Sequence, residues 1–504
     1  MFRHSQLETV KAWLLHPDQA GLPLHGRIQR AIRQLILDGA LAADKPLPAT
    51  RGLAVSLGVS RDTVEAAYNQ LHAEGFIRRR VGSGSFVAAI RDLRPVSRRA
   101  SGPGAQASGE VTAPGGLSAR GAAIVANGGT HTGPPGRIFQ QGLPETRNFP
   151  IRIWERLERQ VLRDHGTSAL IMTDPQGAEP LRQAIADHVN LERGARATAD
   201  RVLILTSSQQ AMALTANLLL DPGDRIFVED PGYHGARQAF AAAGAVPVPV
   251  PLDDQGILVD RMLEAPDRAR AVSLTPSHQF PTGATLSLER RLALIGWAAE
   301  HRGWIIEDDY DSEFHYTGRP TACVQGLDPH GRTIYIGTFT KSLFPGLRLG
   351  YLILPPDLVQ PFTLARTQQD GHPASIPQLV LARFMQGGHF GAHIRLMRAI
   401  YAERLRILAR LVETHLAGLV EARMPAGGLQ MPCLLTCALS EAQVIDAAAK
   451  AGLGLTGLTG LHATARPRPG FLLGFAAFTP TELESGVRRL AAILNGLLRD
   501  RDGA

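Results

Sequence analysis

Along the first 75 residues, apolar positions recur at helical spacing. In "PLHGRIQRAIRQLILDG", Leu24, Ile28, Ala31, Ile32, Leu35 and Ile36 fall on one face, and Gly39 ends the run. A second short helix fits "ATRGLAVSLG", and a third runs from Ser60, its cap, with Val64, Ala67, Tyr68 and Leu71 on one face. "FIRRRVGSGSFVA" follows as two short strands around a Gly-rich turn. Helix, helix, turn, helix and hairpin predict a winged helix-turn-helix of mixed α and β structure. Beyond residue 138 the pattern changes to short apolar runs alternating with helices: "RVLIL", "DRIFVE", "AVSLT", "GWIIE", "TIYIG" and "LGYLIL". Such alternation predicts a mostly parallel sheet covered by helices, with its functional groups just past the carboxyl ends of the strands.

Between these patterns, 24 of the 36 residues from 101 to 136 are Gly, Ala, Pro or Ser, and none is aromatic. Such a stretch buries too little apolar surface to offset its ordering entropy. The expected division is therefore a DNA-binding domain over 1–90, a flexible linker over 91–137 and a large α/β domain over 138–504. The 504 residues exceed what one core usually serves. The N-terminus lacks the sections of a secretory leader, and no apolar run reaches membrane-spanning length, so a cytoplasmic protein is expected. Cys323, Cys433 and Cys437 are too few for a disulfide framework and read as small buried hydrophobes; no metal site is expected.

Charge adds a partner. Residues 1 to 100 hold 15 Lys/Arg against 8 Asp/Glu, which accounts for the whole surplus of +7. Positive charge concentrated at one end fits a polyanion, double-stranded DNA above all. Arg51 opens the second helix, and Ser60, Arg61 and Thr63 open the third, where side chains reach base edges and backbone amides favour phosphates. Arg61 is the expected base contact. Gly82 and Gly84 would let the hairpin approach a sugar-phosphate surface, with Arg78, Arg79 and Arg80 supplying charge. The span from about 22 to 88, including "LPATRGLAVSLGVSRDTVEAAYNQLHAEGFIRRRVGSGSFV", resembles the DNA-binding domain of the GntR family, departing from it at "AADKPLP".

Chemistry concentrates around "IGTFTKSLFPGLRLGYLILPP", where Lys341 lies between two apolar strands with hydroxyls beside it. A lysine so placed is costly unless it is paired or reacts. "GWIIEDDYDSEF" is a strand running into carboxylates, and "VLILTSSQQAMAL" is a strand, then hydroxyls, then a helix whose first amides suit a phosphate. Lysine, carboxylate and phosphate cup together fit pyridoxal 5′-phosphate. Lys341 would form an imine with its aldehyde, and Asp308 would keep its pyridine nitrogen protonated. Tyr233 would stack on the ring, and Arg348 would add charge near the phosphate. Taken alone, "TFTKS" would be a solvated turn and "TSSQQ" a helix cap; their order at successive strand ends is what carries the signal.

Residues 138 to 504 resemble the fold type I aminotransferases, and the whole chain resembles the MocR-type regulators, which join such a domain to a GntR-like one; "EDDYDSEF", "SHQFPTG" and "GTFTKSLFPGLRLGY" carry the likeness. The resemblance implies Lys341 as the Schiff-base lysine, Asp308 as the pyridine partner and Tyr310 as the phenol near the cofactor oxygen. It further implies Ser207, Ser208, Gln209, Thr338 and Arg348 as the phosphate cup, His278 and Gln279 on the ring's other side, and a homodimer. Two positions depart from the aminotransferase pattern: Phe280 replaces an Asn before the Pro of Pro-Thr-Gly, and Leu472 in "GFLLGFA" stands where an arginine grips the substrate carboxylate. The expected function is transcriptional regulation by a sensor of an amine, an amino acid or pyridoxal phosphate itself, without sustained transamination. A working aminotransferase with an appended DNA-binding domain is the competing reading, separated from the first by turnover, and a cofactor-free scaffold is a third.

Overall fold

The computed structural model describes residues 4–15, 22–80, 83–89, 116–126, 136–264, 268–317, 321–464 and 468–502. The chain forms two compact units, residues 1–110 and 111–504.

In the first unit, helices α1 (His4–Leu15), α2 (Leu24–Leu37), α3 (Thr50–Leu57) and α4 (Arg61–Ala73) precede a hairpin of β1 (Ile77–Arg80) and β2 (Gly84–Val87). The face predicted for α2 is the buried one: Ile28, Ala31, Ile32, Leu35 and Ile36 pack with Val64, Ala67, Tyr68 and Leu71 of α4. Tyr68 also donates its hydroxyl to the Pro48 carbonyl at 3.0 Å, tying α4 to the chain entering α3. The hairpin register pairs Ile77 with Val87 and Arg80 with Gly84. The unexpected element is α1, whose Val10 and Leu14 are buried against α2. Its apolar residues Leu7, Val10 and Leu14 keep helical spacing, too few turns to announce a helix beside the longer α2 pattern.

The second unit begins inside the expected linker. Residues 119–126 form α5 (Ala119–Ala126), which packs on a helix of the large sheet layer, α9 (His234–Ala242). Arg120 donates to the Asn217 side-chain oxygen at 3.1 Å and to the Ala242 carbonyl at 3.3 Å. "ARGAAIVA" is rich in alanine, the strongest helix former, which a Gly/Ala/Pro/Ser composition count conceals. The other residues of the expected linker are outside the described residues, apart from 116–118 and 136–137.

Helix α6 (Ile151–His165) precedes α7 (Glu179–Arg193) and α8 (Ser208–Leu219), which pack on an eight-stranded sheet. Its strands are β3 (Val202–Leu205), β4 (Arg225–Asp230), β5 (Val246–Asp253), β6 (Gly256–Ile257), β7 (Ala271–Leu274), β8 (Trp304–Asp309), β9 (Thr333–Thr338) and β10 (Gly350–Ile353), in the order β3-β10-β9-β8-β7-β4-β5-β6. Burial on both faces explains why most of these strands read as continuous apolar runs. β10 is antiparallel to β3 and β9, and β4, β5, β7, β8 and β9 run parallel. The carboxyl ends of β3, β4, β7, β8 and β9 therefore share one edge, at which β10 begins. β5, "VPVPVPLD", was not foreseen, because proline opposes a strand reading. Its prolines alternate, which directs every missing N–H away from β4 toward the side where only Leu252 and Asp253 pair with β6. A second, antiparallel sheet of β11 (Val420–Ala422), β12 (Gln430–Leu435), β13 (Thr456–Gly457) and β14 (Gly470–Gly474) has the order β11-β12-β14-β13. Cys323 and Cys433 are buried, whereas Cys437 is partly exposed and departs from the buried reading. Among the described residues no helix is long and apolar enough to cross a membrane.

Candidate functional site

The shared strand edge assembles the expected residues. β8 carries Asp308, the segment after β7 carries His278 and Gln279, Tyr233 follows β4, Ser207 to Gln209 follow β3, and Thr338 closes β9. Gly350 opposes both Leu205 and Thr338 in register, which brings the start of α8 beside the short helix Phe339–Ser342 that carries Lys341. Lys341 Nζ donates to the Gly142 carbonyl at 2.6 Å. Burial pushes its ammonium pKa down, against the opposing pull of Asp311 and Asp308.

Asp308 is nearly inaccessible, at 5% exposure, and its Oδ1 has no hydrogen-bond partner. Burial first, then the carboxylates of Asp309, Asp311 and Glu229, push its pKa up to about 8, with Lys341 opposing. An unpartnered acceptor under that load is met by a ligand N–H, as a protonated pyridine nitrogen would supply. Tyr233 has its phenol raised to about 12 by burial and then by Asp308. Tyr310 is held well above its usual value by burial, Asp311 and Asp308. Its hydroxyl lies 3.1 Å from His278 Nδ1, which is also 3.2 Å from each Asp311 oxygen. Burial alone would lower the His278 pKa, but Asp311 outweighs it and the net direction is up. His278 Nε2 is buried without a partner.

At the phosphate-cup positions, Ser207 Oγ caps α8 by accepting from the Gln210 amide at 3.2 Å, and Thr338 Oγ1 accepts from the Thr340 amide at 3.1 Å. Gln209 donates to the Gly235 carbonyl at 2.9 Å, and its buried Oε1 is unpartnered. Arg348 is exposed, in a left-handed conformation with φ +53°. Gln279 differs from expectation. Its amide donates to the carbonyls of Pro231 at 2.9 Å and Phe280 at 2.6 Å and accepts from Thr282, so it holds the turn together and has no free group for a ring.

Several supports escaped the sequence reading. Glu229, raised to about 7 by burial, accepts from the Thr275 amide at 3.0 Å and its hydroxyl at 2.7 Å. Asp309 accepts from Arg193 Nε at 2.8 Å and from the Tyr335 hydroxyl at 2.7 Å. Asp230 accepts from the amides of Ala463 at 2.7 Å and Thr464 at 3.2 Å, fastening the Thr459–Thr464 loop to the end of β4. A Cβ at Gly142 would lie 2.6 Å from Lys341 Nζ, and one at Gly428 would lie 2.1 Å from the His278 ring. Both glycines have positive φ, at +67° and +81°. Asp311 was legible within "DDYD", but its partner His278 is 33 residues away in the chain.

In the first unit, Arg51 and Arg61 are exposed and make no hydrogen bond or ion pair among the described residues. Ser60 Oγ accepts from the Thr63 amide at 3.1 Å and meets the Thr63 hydroxyl at 2.7 Å, so both residues serve the cap of α4. The wing arginines are already engaged within the fold. Arg78 pairs with Asp44, Arg79 with Glu65 at 2.9 Å, and Arg80 lies 4.8 Å over the Phe86 ring. Gly84 has φ +96°, and Gly82 is outside the described residues.

The family comparisons agree with both halves. Residues 24–87 match the bacterial regulatory proteins of the gntR family, and residues 143–434 match the aminotransferases of class I and II. The chain is 35% identical over 472 residues to the probable rhizopine catabolism regulatory protein MocR of Rhizobium meliloti, covering 94% of each chain. The chain belongs to the MocR-type regulators. It is also 32% identical over 468 residues to the uncharacterized HTH-type transcriptional regulator YhdI of Bacillus subtilis, covering 93% of this chain and 95% of that one. The kynurenine aminotransferase of Pyrococcus horikoshii, solved in complex with PMP, is 27% identical with a TM-score of 0.67, covering 72% of this chain and 92% of that one. The chain is thus a transcriptional regulator whose large domain has the aminotransferase class I and II fold, a fold family that binds pyridoxal phosphate.

Proposed function

We propose that the large domain, over 138–504, holds pyridoxal 5′-phosphate at Lys341 and reports an amine effector, or the cofactor itself, to a DNA-reading domain over 1–90. The observation that carries this reading is the buried, unpartnered Oδ1 of Asp308 at the same strand edge as Lys341. When bound, the cofactor supplies an aldehyde that condenses with primary amines and a ring that withdraws electrons. Lys341 offers an amine whose charge burial already disfavours, which favours its nucleophilic form. Asp308 would hold a proton at the pyridine nitrogen, Tyr233 would stack on the ring, Tyr310 would meet the cofactor oxygen and His278 would stand on the ring's other side. Ser208, the first amides of α8 and Arg348 would receive the phosphate. Ser207 and Thr338 shape that cup as helix caps.

An effector shifts the regulator only through differential affinity for two arrangements of its domains. The reading also has the chain act as a homodimer whose two α4 helices contact two half-sites, Arg61 on base edges and Arg51 on phosphate. The decisive assay incubates the full chain with the cofactor, then with candidate amines and a keto acid. A spectral change coupled to altered operator affinity, without turnover, supports the sensor. Sustained turnover indicates a working aminotransferase, and the absence of a cofactor band removes the reading.

A further inference from the structure

Resting on the proposal that Lys341 carries pyridoxal phosphate, we infer that the effector is a primary amine with an apolar body and no carboxylate beside the amino group. Leu472, on β14, is fully buried. It packs with Phe280, Leu458 and Leu461, and this cluster is bordered by Tyr233 and Tyr310. Phe280 meets both tyrosine rings edge-on, at 6.0 Å and 6.4 Å between centroids. The wall that the small sheet presents to the tyrosines flanking Asp308 is therefore carbon, at the place where a carboxylate-binding arginine was expected from the aminotransferase pattern.

Two nearby guanidinium groups already have partners. Arg237 donates to the Leu461 carbonyl at 2.9 Å, and Arg468 pairs with Glu421 at 3.0 Å. On the far side of the tyrosines, Asp311 is matched by His278 at 3.2 Å. A carboxylate brought against this wall would lose its water and gain no hydrogen-bond donor from Leu472 or its apolar neighbours. Hydrogen bonds to charged groups are worth about 1.5–3 kcal/mol, so a matched amino acid is expected to bind roughly ten- to a hundredfold more weakly than its amine.

The test uses the full chain loaded with pyridoxal phosphate and follows its absorbance while 2-phenylethylamine or L-phenylalanine is added, with Lys341→Ala as the control. A Lys341-dependent cofactor band that responds to the amine at tenfold or more lower concentration than to the amino acid is the expected result. Leu472→Arg should narrow or reverse that preference. Leu472→Met, which keeps the wall apolar, should preserve it, so the outcome does not depend on the arginine variant folding. A cofactor band that responds equally well to the amino acid, or to neither compound, overturns the inference while leaving the cofactor reading intact. An amino-acid response abolished by Arg466→Ala, a position outside the described residues, overturns it as well. Failure to form any Lys341-dependent band instead removes the underlying cofactor reading.

Discussion

Replacing Asp308 by asparagine separates the stability of the cofactor-free protein from its capacity to hold the cofactor. The folded-state pKa of Asp308 stands at about 8 against an ordinary 3.8. Because the folded value is raised, the folded chain binds more protons than the unfolded chain between those two pH values, and stability falls as pH rises through that window. At about 1.4 kcal/mol per pH unit, keeping the proton costs folding about 4 kcal/mol at pH 7 and about 1.5 kcal/mol at pH 5. An amide has no such dependence. Asp308→Asn should therefore be more stable than the wild type without cofactor at pH 7, with an advantage that shrinks toward pH 5. That change has a ceiling of about 2.5 kcal/mol, and local relaxation brings the expected value to at least about 1 kcal/mol. With pyridoxal phosphate the order reverses, since only the carboxylate meets a protonated pyridine nitrogen. Urea unfolding of both proteins at pH 5 and 7, with and without cofactor, reads all four quantities. Parallel pH dependences for the two cofactor-free proteins, or an equal gain from the cofactor in both, would refute the assignment of Asp308.

Borohydride reduction after incubation with pyridoxal phosphate should fix the cofactor on the peptide containing Lys341, and Lys341→Ala should remove the label; mass spectrometry of the digest checks both. Gly142→Ala places a methyl 2.6 Å from Lys341 Nζ at a φ of +67°, so cofactor affinity should fall at least about tenfold and the fold should lose about 1 kcal/mol or more, measured by cofactor titration and urea unfolding. Arg61→Ala should cost roughly 1–3 kcal/mol of operator affinity without touching cofactor binding, whereas wild-type binding should weaken steeply with salt. Anisotropy titrations at several salt concentrations separate the two effects.

Much of this architecture was legible because its signals are local. Ser60 capping α4, hydroxyls following β3, carboxylates ending β8 and a lysine after β9 are each readable within a dozen residues. A parallel sheet then brings those strand ends to one edge. The supports were not legible, because they join distant parts of the chain: Arg193 reaches Asp309 across 116 positions and Lys341 reaches Gly142 across 199. Nothing in "DPQGAEPLRQAIADHVNLERG" distinguishes Arg193 from a surface arginine at a helix end. Gln279 was assigned by motif, and only the packing around Pro231 reveals that its amide ties a turn. β5 and α5 escaped for compositional reasons, since proline argues against strands and a Gly/Ala-rich count argues for disorder.

If the cofactor site governs DNA reading, operator affinity of the full chain responds to it directly. Measured with and without pyridoxal phosphate, in the wild type and in Lys341→Ala, the affinity is predicted to change with the cofactor in the wild type alone. Equal affinities in all four conditions, or the same cofactor response in both proteins, would contradict it.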